Sequence, residues 1–406
     1  MGSSVSAFIQ ELKYFIALRV SPFLVQNAFL DPSSSAYTKK LLNKNPDLKS
    51  KFKDKCAVVT GVSLGGLGYY VAEALAVDVG MAVVLAGRSK EKLRDAETAI
   101  EKRAAKSGAP SPKLFSVILD LSSLKSVEEA AGEMKKIVTK DFKGGLKVLV
   151  NNAGALVCAG AQEPARLCGV TKEGIEGNVG GNFVGPHYLT SLLLPCLEKE
   201  ASMSKEQSKC VFVSSLAHAF PFQPAMDMER LVAHPFSGGS PEGDIVKEEG
   251  GVFHKSMAGP LLKYGHSKLG NMSDARAFAR RHPTIDFSSN HPGSIRSNFG
   301  TAGLPFFLKL GRDIYYNLFR LVNYTAEQGG VGTLRGVLDP SLSFQESETG
   351  SRGKGTEKNR KGPYLHCTGT EWSPKEPPGS LQGKEFDDAL FEATEKLIAS
   401  LKAKGR

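Results

Sequence analysis

The chain has 406 residues, of which 41% are hydrophobic and 23% are charged, and its formal net charge is +10. A chain of this size and balance can bury a large core, as one large domain or two ordinary ones. It contains no HExxH zinc pattern, no GK[ST] phosphate loop and no interleaving of aromatic and basic residues. The sequence therefore predicts neither a bound metal nor a nucleic-acid partner.

The amino-terminal segment is basic and partly apolar, with nine Lys or Arg against four Asp or Glu in residues 1–55. Its start, MGSSVS, matches the N-myristoylation pattern at Gly2. Charges and Pro22 interrupt the apolar stretch that follows, which excludes a membrane-spanning helix. Two alternatives remain, a helix at the membrane interface or a helix packed on the main domain. We predict an extension over 1–50, with peripheral contact to the cytoplasmic side of a membrane as a hypothesis.

The six cysteines form no CxxC pair and lie at no metal-ligand spacing from a histidine. Cys56 and Cys210 fall inside predicted buried strands, which suits free thiols in a reducing compartment better than disulfides.

A glycine-rich loop interrupts an apolar run near residue 60. Residues 56–68 read CAVVTGVSLGGLG, and Val71, Ala72 and Leu75 follow at helical spacing. The order strand, glycine loop, helix brings backbone N–H groups to the positive end of a helix dipole. A pyrophosphate can bind in such a loop, although the pattern alone is weak evidence.

Strand and helix patterns alternate from residue 56 to residue 291. Besides the first strand, we predict strands at Val83 to Ala86, Phe115 to Asp120, Leu146 to Val150, Cys210 to Ser214 and Asp286 to His291. Helices are predicted at Ser89 to Lys106, Leu124 to Thr139, Lys172 to Lys199 and Pro260 to Arg281. This alternation predicts an α/β fold, a Rossmann-type doubly wound parallel sheet with helices on both faces. One such domain would span 51–406, with long inserts at 219–259 and 341–362.

A tyrosine and a lysine share one face of a predicted helix. In YGHSK, Tyr264 and Lys268 are four residues apart, where an ammonium group can stabilise a phenolate. A tyrosine with a lowered pKa can exchange a proton with a carbonyl or alcohol oxygen. Tyr-x-x-x-Lys is common in helices, so the interpretation depends on the motifs around it.

Those motifs occur together and in order. TGVSLGGLG follows the first strand, Asn151-Asn152-Ala153-Gly154 the fourth, Ser215 the fifth and His291-Pro292-Gly293 the sixth, with YGHSK in the helix between the last two. In this combination the chain resembles the short-chain dehydrogenase/reductase family from about residue 54 to the carboxyl terminus.

The resemblance implies four catalytic residues. Ser215 would bond the substrate oxygen, Tyr264 would be the general acid/base, and Lys268 would bind the nicotinamide ribose and lower the tyrosine pKa. Asn182, in GNFVGPHYLT, matches the asparagine that holds a proton-relay water, whereas the nearby Asn178 does not fit the register.

The resemblance also implies a binding site for a nicotinamide dinucleotide. Its implied contacts are Gly61, Ser63, Gly66, Leu67, Gly68, Arg88, Asp120, Leu121, Asn152, Ala153, Gly154, Tyr264, Lys268, Pro292, Gly293 and Ile295. The opening loop departs from the family, because four residues, not three, separate Gly61 from Gly66. Gly65 is interpreted as the added residue or its compensation, since glycine lets a lengthened turn keep its ends in place.

The end of the second strand predicts NADP(H) as the cofactor. NAD-selective relatives carry an acid at the position of Gly87, and here Arg88 follows that glycine. A guanidinium group, helped by Ser89, suits a 2′-phosphate, and a plain surface arginine is the alternative.

The stretches TAEQGGVGTLRGVLDPSL and GPYLHCTGTEWSP resemble the branch of retinol dehydrogenases and protochlorophyllide reductases. We therefore expect an NADPH-dependent oxidoreductase of an apolar retinoid, lipid aldehyde or steroid. Ser294 stands where the pigment reductases carry a cysteine, which weakens that alternative. The apolar residues 304–323 would form either a packed helix or a substrate entrance.

The rival function class is a non-catalytic, NADP-binding regulatory or scaffold protein. The resemblance to the family also implies a homo-oligomer.

Overall fold

The strands form one parallel sheet. The computed structural model describes residues 33–156, 171–219, 258–293, 295, 324–342, 362–365 and 383–405. Among them, seven strands lie in the order β3-β2-β1-β4-β5-β6-β7. They are β1 (Cys56–Thr60), β2 (Ala82–Gly87), β3 (Leu114–Ile118), β4 (Val148–Asn151), β5 (Ser208–Val213), β6 (Ile285–Asn290) and β7 (Tyr364–Leu365). All neighbouring pairs are parallel, and the chain reverses its direction of winding between β1 and β4. The predicted doubly wound α/β fold is confirmed.

Helices connect and cover the strands. They are α1 (Ser34–Lys44), α2 (Pro46–Phe52), α3 (Leu67–Glu73), α4 (Lys90–Ser107), α5 (Leu124–Asp141), α6 (Gly185–Ser204), α7 (Ala258–Arg281), α8 (Ala326–Leu338) and α9 (Lys384–Ala403). A π-helical segment, Ala74–Val79, continues α3, and a second, Gly180–Val184, leads into α6.

One predicted helix starts later than expected. Residues 172–176 are not helical, and the first helical turn is Gly177–Val179. Gly174 has a φ of +86°, and the Glu176 side chain accepts a hydrogen bond from the Val179 N–H. A left-handed glycine followed by a side-chain cap ends the loop there and fixes the start of the helix.

The core lies on both faces of the sheet because successive strand residues point to opposite sides. Cys56 and Val58 of β1 pack into the layer formed by α5, α6, α7 and α9. Ala57 and Val59 pack into the opposite layer, with α2, α3, α4 and α8. All four side chains are buried, as expected for a strand inside a parallel sheet.

The two ends of the described chain are fastened to this domain. The Ser34 hydroxyl of α1 donates to the Glu327 carbonyl at 2.5 Å, and Arg103 of α4 donates to Ser35 at 2.6 Å. At the other end, Asp387 of α9 accepts hydrogen bonds from Arg276 of α7 at 2.6 and 2.9 Å. Helix α1 and most of α2 fall within the predicted extension 1–50, and both pack against the core on one face of the sheet.

Several predicted features lie outside the described residues. These are Gly2 and the rest of 1–32, residues 220–257 of the first insert, Ser294, residues 304–323 and residues 343–361 of the second insert. No helix in the described part of the chain has the length and apolar character needed to cross a bilayer.

Candidate functional site

The glycine loop after β1 is shaped by two left-handed glycines. Gly61 has a φ of +72°, and a Cβ on it would lie 2.6 Å from the Ala153 Cα. Gly65 has a φ of +73°, in a turn closed by the Gly66 N–H donating to the Ser63 carbonyl at 2.8 Å. A Cβ on Gly65 would meet no atom within 4 Å. The lengthened turn therefore bends at Gly65 and leaves space beside the first turn of α3.

The loop after β4 lies against the glycine loop. The Thr60 Oγ1 accepts hydrogen bonds from the Asn152 and Ala153 N–H groups, each at 3.0 Å. The Asn152 Nδ2 donates to the Thr60 carbonyl at 2.7 Å, and a Cβ on Gly68 would lie 2.4 Å from that Nδ2. The sequence analysis did not predict this role for Thr60. Its position as the last residue of β1, directly before Gly61, could have indicated it.

Ser215, Tyr264 and Lys268 meet beyond the carboxyl end of β5. The Ser215 side chain is close enough to that of Tyr264 to lower the pKa of the phenol. The Lys268 Nζ donates to the Val213 carbonyl at 2.8 Å and lies 5.6 Å from the centroid of the Tyr264 ring. The preceding Ser214 is turned the other way, because its hydroxyl donates to the Lys268 carbonyl at 2.7 Å. The geometry thus separates the two neighbouring serines.

The loop after β4 connects this group to the glycine loop. A Cβ on Gly154 would lie 3.1 Å from the Lys268 Nζ and 3.5 Å from the Asn182 Oδ1. Since Ala153 contacts Gly61 and Gly154 contacts Lys268, the glycine loop and the tyrosine group line the same end of the sheet. This is the convergence that the sequence motifs predicted.

Asn182, not Asn178, faces this group. In the π-helical segment, the Asn182 Oδ1 accepts from the Ala155 N–H and its Nδ2 donates to the Ala155 carbonyl, both at 2.8 Å. Its Nδ2 also lies 3.3 Å from the Ser267 hydroxyl of α7. The Asn178 Nδ2 instead donates to Glu176 at 2.9 Å. Local π-helical turns are frequent at functional sites because they redirect a side chain.

Burial shifts the pKa of Tyr264 and that of Lys268. Burial raises the pKa of the phenol, and the nearby Ser215 side chain only partly opposes that shift. Burial also lowers the pKa of Lys268 to about 7. Desolvation disfavours both the phenolate and the ammonium group, so burial opposes the lowering of the tyrosine pKa that the resemblance implies for Lys268.

The outer rim of the predicted cofactor site is formed by the ends of β2 and β3. The Arg88 side chain is exposed, and the Ser89 hydroxyl accepts from the Lys92 N–H at 3.3 Å as the cap of α4. The Asp120 Oδ1 accepts from the Ser122 hydroxyl at 2.6 Å, and Leu121 is buried. The exposed guanidinium of Arg88 is free to turn toward an anion at this rim.

The opposite rim follows β6. Gly293 has a φ of +90°, which lets the chain turn sharply after Pro292. Ile295 forms a parallel bridge with Tyr324. A Cβ on Gly329 would lie 2.4 Å from the Ile295 Cδ1. The segment after β6 is therefore held closely against α8.

These residues fit a nicotinamide dinucleotide. The glycine loop at the start of α3 offers backbone N–H groups and open space to a pyrophosphate, as in other doubly wound sheets. The hydroxyl and ammonium groups of Tyr264, Ser215 and Lys268 lie where a nicotinamide ring and a substrate oxygen would meet. Among the described residues no group of three or more His, Cys, Asp or Glu side chains is placed to hold a metal ion.

Comparisons with known proteins agree with the fold. The family model described as short chain dehydrogenase matches residues 55–226. The oxidoreductase fscI of Fusarium equiseti is 30% identical over 57% of this chain and 83% of its own. The short-chain dehydrogenase/reductase pkfC of Emericella nidulans is 31% identical over 72% of this chain and 81% of its own.

A solved structure, the short chain dehydrogenase from Shigella flexneri, is 17% identical, with a TM-score of 0.47 over 82% of this chain and 96% of that one. The similarity to the two fungal proteins extends over more than four fifths of their length. The chain belongs to the short-chain dehydrogenase/reductase family.

Proposed function

We propose that the protein reduces a carbonyl group on an apolar substrate with NADPH, with Tyr264 as the general acid. The observation that carries this proposal is that Ser215, Tyr264 and Lys268 meet beyond the carboxyl end of β5, with the Lys268 Nζ 5.6 Å from the phenol ring centroid. Family membership supports an oxidoreductase that acts on CH–OH or C=O groups with a nicotinamide cofactor.

Each catalytic residue has a separate task in this proposal. The bound nicotinamide supplies a hydride to the carbonyl carbon. Ser215 donates a hydrogen bond to the carbonyl oxygen, and Tyr264 transfers its hydroxyl proton to that oxygen as the alcohol forms. Lys268 holds the cofactor ribose, and Asn182 holds a water molecule through which the phenol regains its proton.

The raised pKa of Tyr264 agrees with its role as the general acid in this proposal. A buried phenol stays protonated at neutral pH, which is the state that a general acid requires.

The preference for NADPH rests on Arg88. Its exposed guanidinium follows Gly87 at the carboxyl end of β2. A guanidinium pairs well with the two oxygens of a 2′-phosphate, whereas no acid is present at Gly87 to bond a ribose 2′-OH.

The substrate class follows from the resemblance to the retinol dehydrogenase branch. A retinoid, a lipid aldehyde or a steroid agrees with the long interval between Ser215 and Tyr264 and with the apolar residues 304–323. A substrate of this kind would reach the enzyme from a membrane, and the partly apolar segment before residue 33 supports peripheral contact on the cytoplasmic side. Mass spectrometry of Gly2 tests the lipid anchor, and an unmodified or acetylated terminus would remove it.

We propose that two copies of the chain associate through α6 and α7. However, α9 packs against both helices through the Leu390 and Leu397 side chains. A second copy would therefore bind beside α9 or displace it, and light scattering of the full chain with and without 383–406 distinguishes these arrangements.

Steady-state NADPH oxidation tests the function against retinal, long-chain aldehydes and ketosteroids. We expect turnover that falls at least about 100-fold in Tyr264→Phe and in Ser215→Ala. Ser214→Ala is the matched control, with a smaller loss because its hydroxyl contacts only helix backbone. NADPH binding without turnover of any substrate would favour the non-catalytic regulatory or scaffold function instead.

A further inference from the structure

Two histidines hold the backbone at Ser215. The His218 Nδ1 lies 2.6 Å from the Ser215 carbonyl oxygen. The His291 Nδ1 accepts a hydrogen bond from the Leu216 N–H at 3.2 Å. Both imidazoles are buried, and neither belongs to the four residues to which the resemblance assigns catalysis. The peptide unit that follows Ser215 is therefore held at its oxygen and at its nitrogen by separate side chains.

The tautomer of His218 follows from its partner. A carbonyl oxygen can only accept, so the His218 Nδ1 carries the hydrogen and donates to Ser215. Burial lowers the pKa of His218 to about 4, which keeps the ring neutral at physiological pH. The Ala217 N–H donates to the Ser215 Oγ at 3.2 Å, so the Ser215 hydroxyl keeps its own hydrogen for donation to another acceptor.

The edge strand β7 supports both histidines. The Tyr364 ring lies edge-on to the His218 ring with centroids 5.0 Å apart, and its hydroxyl oxygen is 3.4 Å from the His218 Nδ1. The His291 N–H donates to the Leu365 carbonyl at 2.8 Å. Tyr364, almost 150 positions beyond Ser215, thus contacts the ring of His218, and Leu365 holds the backbone of His291.

We propose that His218 is a positioning residue that sets the location of the Ser215 hydroxyl relative to Tyr264, with Tyr364 fixing the orientation of its ring. This inference rests on the proposed function. A hydroxyl that binds the reacting oxygen must be held within a fraction of an ångström, because small displacements of a catalytic group slow a reaction strongly. The Ser215 carbonyl oxygen accepts from the His218 Nδ1 and also from the His218 backbone N–H at 3.1 Å, so His218 fixes the peptide unit next to that hydroxyl.

The test uses two substitutions at one position. His218→Phe keeps a ring and loses the donor, whereas His218→Asn places an amide N–H near the position of Nδ1. We expect His218→Phe to lower kcat about tenfold while the dissociation constant of NADPH changes less than about threefold. His218→Asn should recover kcat to within about threefold of the natural enzyme. His282→Asn, at the more exposed pair with Glu198, is the control with unchanged kcat.

A purely structural role for His218 predicts another pattern. Partial unfolding would lower the number of NADPH sites per chain in proportion to activity, and asparagine would not restore activity selectively. If His218→Phe does not fold, Tyr364→Phe replaces it in the test, because this variant removes only one hydroxyl at the edge strand. We expect Tyr364→Phe to have a kcat about twofold to fivefold lower, with normal NADPH binding.

The failure of this inference differs from the failure of the proposed function. If kcat of His218→Phe equals that of the natural enzyme, or if His218→Asn is equally impaired, the positioning role is wrong while the proposed function stands. If the natural enzyme has no turnover, or if Tyr264→Phe retains it, the proposed function itself is wrong and the inference fails with it.

Discussion

A buried histidine joins the two helices of the site to the carboxyl-terminal helix, and its charge should make stability depend on pH. The His187 Nδ1 of α6 is 2.9 Å from the Asp274 Oδ1 of α7, and its Nε2 is 2.8 Å from the Glu395 Oε1 of α9. Burial alone would lower the pKa of His187, but the two carboxylates outweigh it and raise the pKa to about 9.

The sign and size of the effect follow from that shift. The folded pKa lies above the ordinary value of 6.5, so the stabilisation is fully present below pH 6.5 and is lost as the pH rises to about 9. At about 1.4 kcal/mol per pKa unit, the rise from 6.5 to about 9 corresponds to a loss of about 3–4 kcal/mol. The His187 side chain is fully buried, so solvent screens it little. Burial also raises the pKa of Asp274, so this carboxyl likewise lowers the stability as the pH rises above its ordinary value of 3.8.

Urea denaturation followed by circular dichroism measures the effect. His187→Gln keeps hydrogen-bonding capacity and removes the titrating charge. The difference in unfolding free energy between the natural protein and this variant should fall as the pH rises from 6.5 to about 9. Ser191→Ala, which removes only the hydroxyl that donates to Glu395 at 2.9 Å, should keep the pH dependence of the natural protein. Parallel curves for the natural protein and His187→Gln would refute the reasoning.

Three further substitutions test the site. Arg88→Ala should raise the KM for NADPH at least about tenfold more than that for NADH, and equal effects would remove the NADP preference. Gly68→Ala would place a Cβ 2.4 Å from the Asn152 Nδ2, which should cost about 1–3 kcal/mol of unfolding free energy and weaken NADPH binding in titrations. Gly132→Ala, where a Cβ meets no atom within 4 Å, is its control, and an equal loss there would contradict the explanation. Gly270→Ala would place a Cβ 2.6 Å from the Phe183 ring of the neighbouring π-helical segment, so kcat should fall. An unchanged kcat would show that α7 and this segment need not pack so closely.

The sequence was most informative where the signal is local. β1 and β5 are runs of buried apolar residues, and such runs are recognisable without any partner. The register of GNFVGPHYLT also selected Asn182 over Asn178, and the structure places Asn182 against the loop after β4. These predictions depend on spacing within about ten residues.

The sequence was less informative where distant residues meet. The contact between His187 and Glu395 joins positions 208 apart, and the one between His218 and Tyr364 joins positions 146 apart. No local sequence pattern predicts such a pair, because nothing in the neighbouring sequence of either residue indicates its distant partner. The raised pKa of Tyr264 could not be predicted from the sequence for the same reason, since burial is a property of the assembled fold.

Transfer of a labelled hydride tests the central claim most directly. NADPH that carries deuterium at the reactive position of the nicotinamide is incubated with the enzyme and with the apolar carbonyl compound that turns over fastest. We predict an alcohol with deuterium on the former carbonyl carbon, formed at least about 100-fold more slowly by Tyr264→Phe at saturating NADPH. An unlabelled alcohol, or equal rates for the two proteins, would contradict the role given to Tyr264 and to the nicotinamide site beside it.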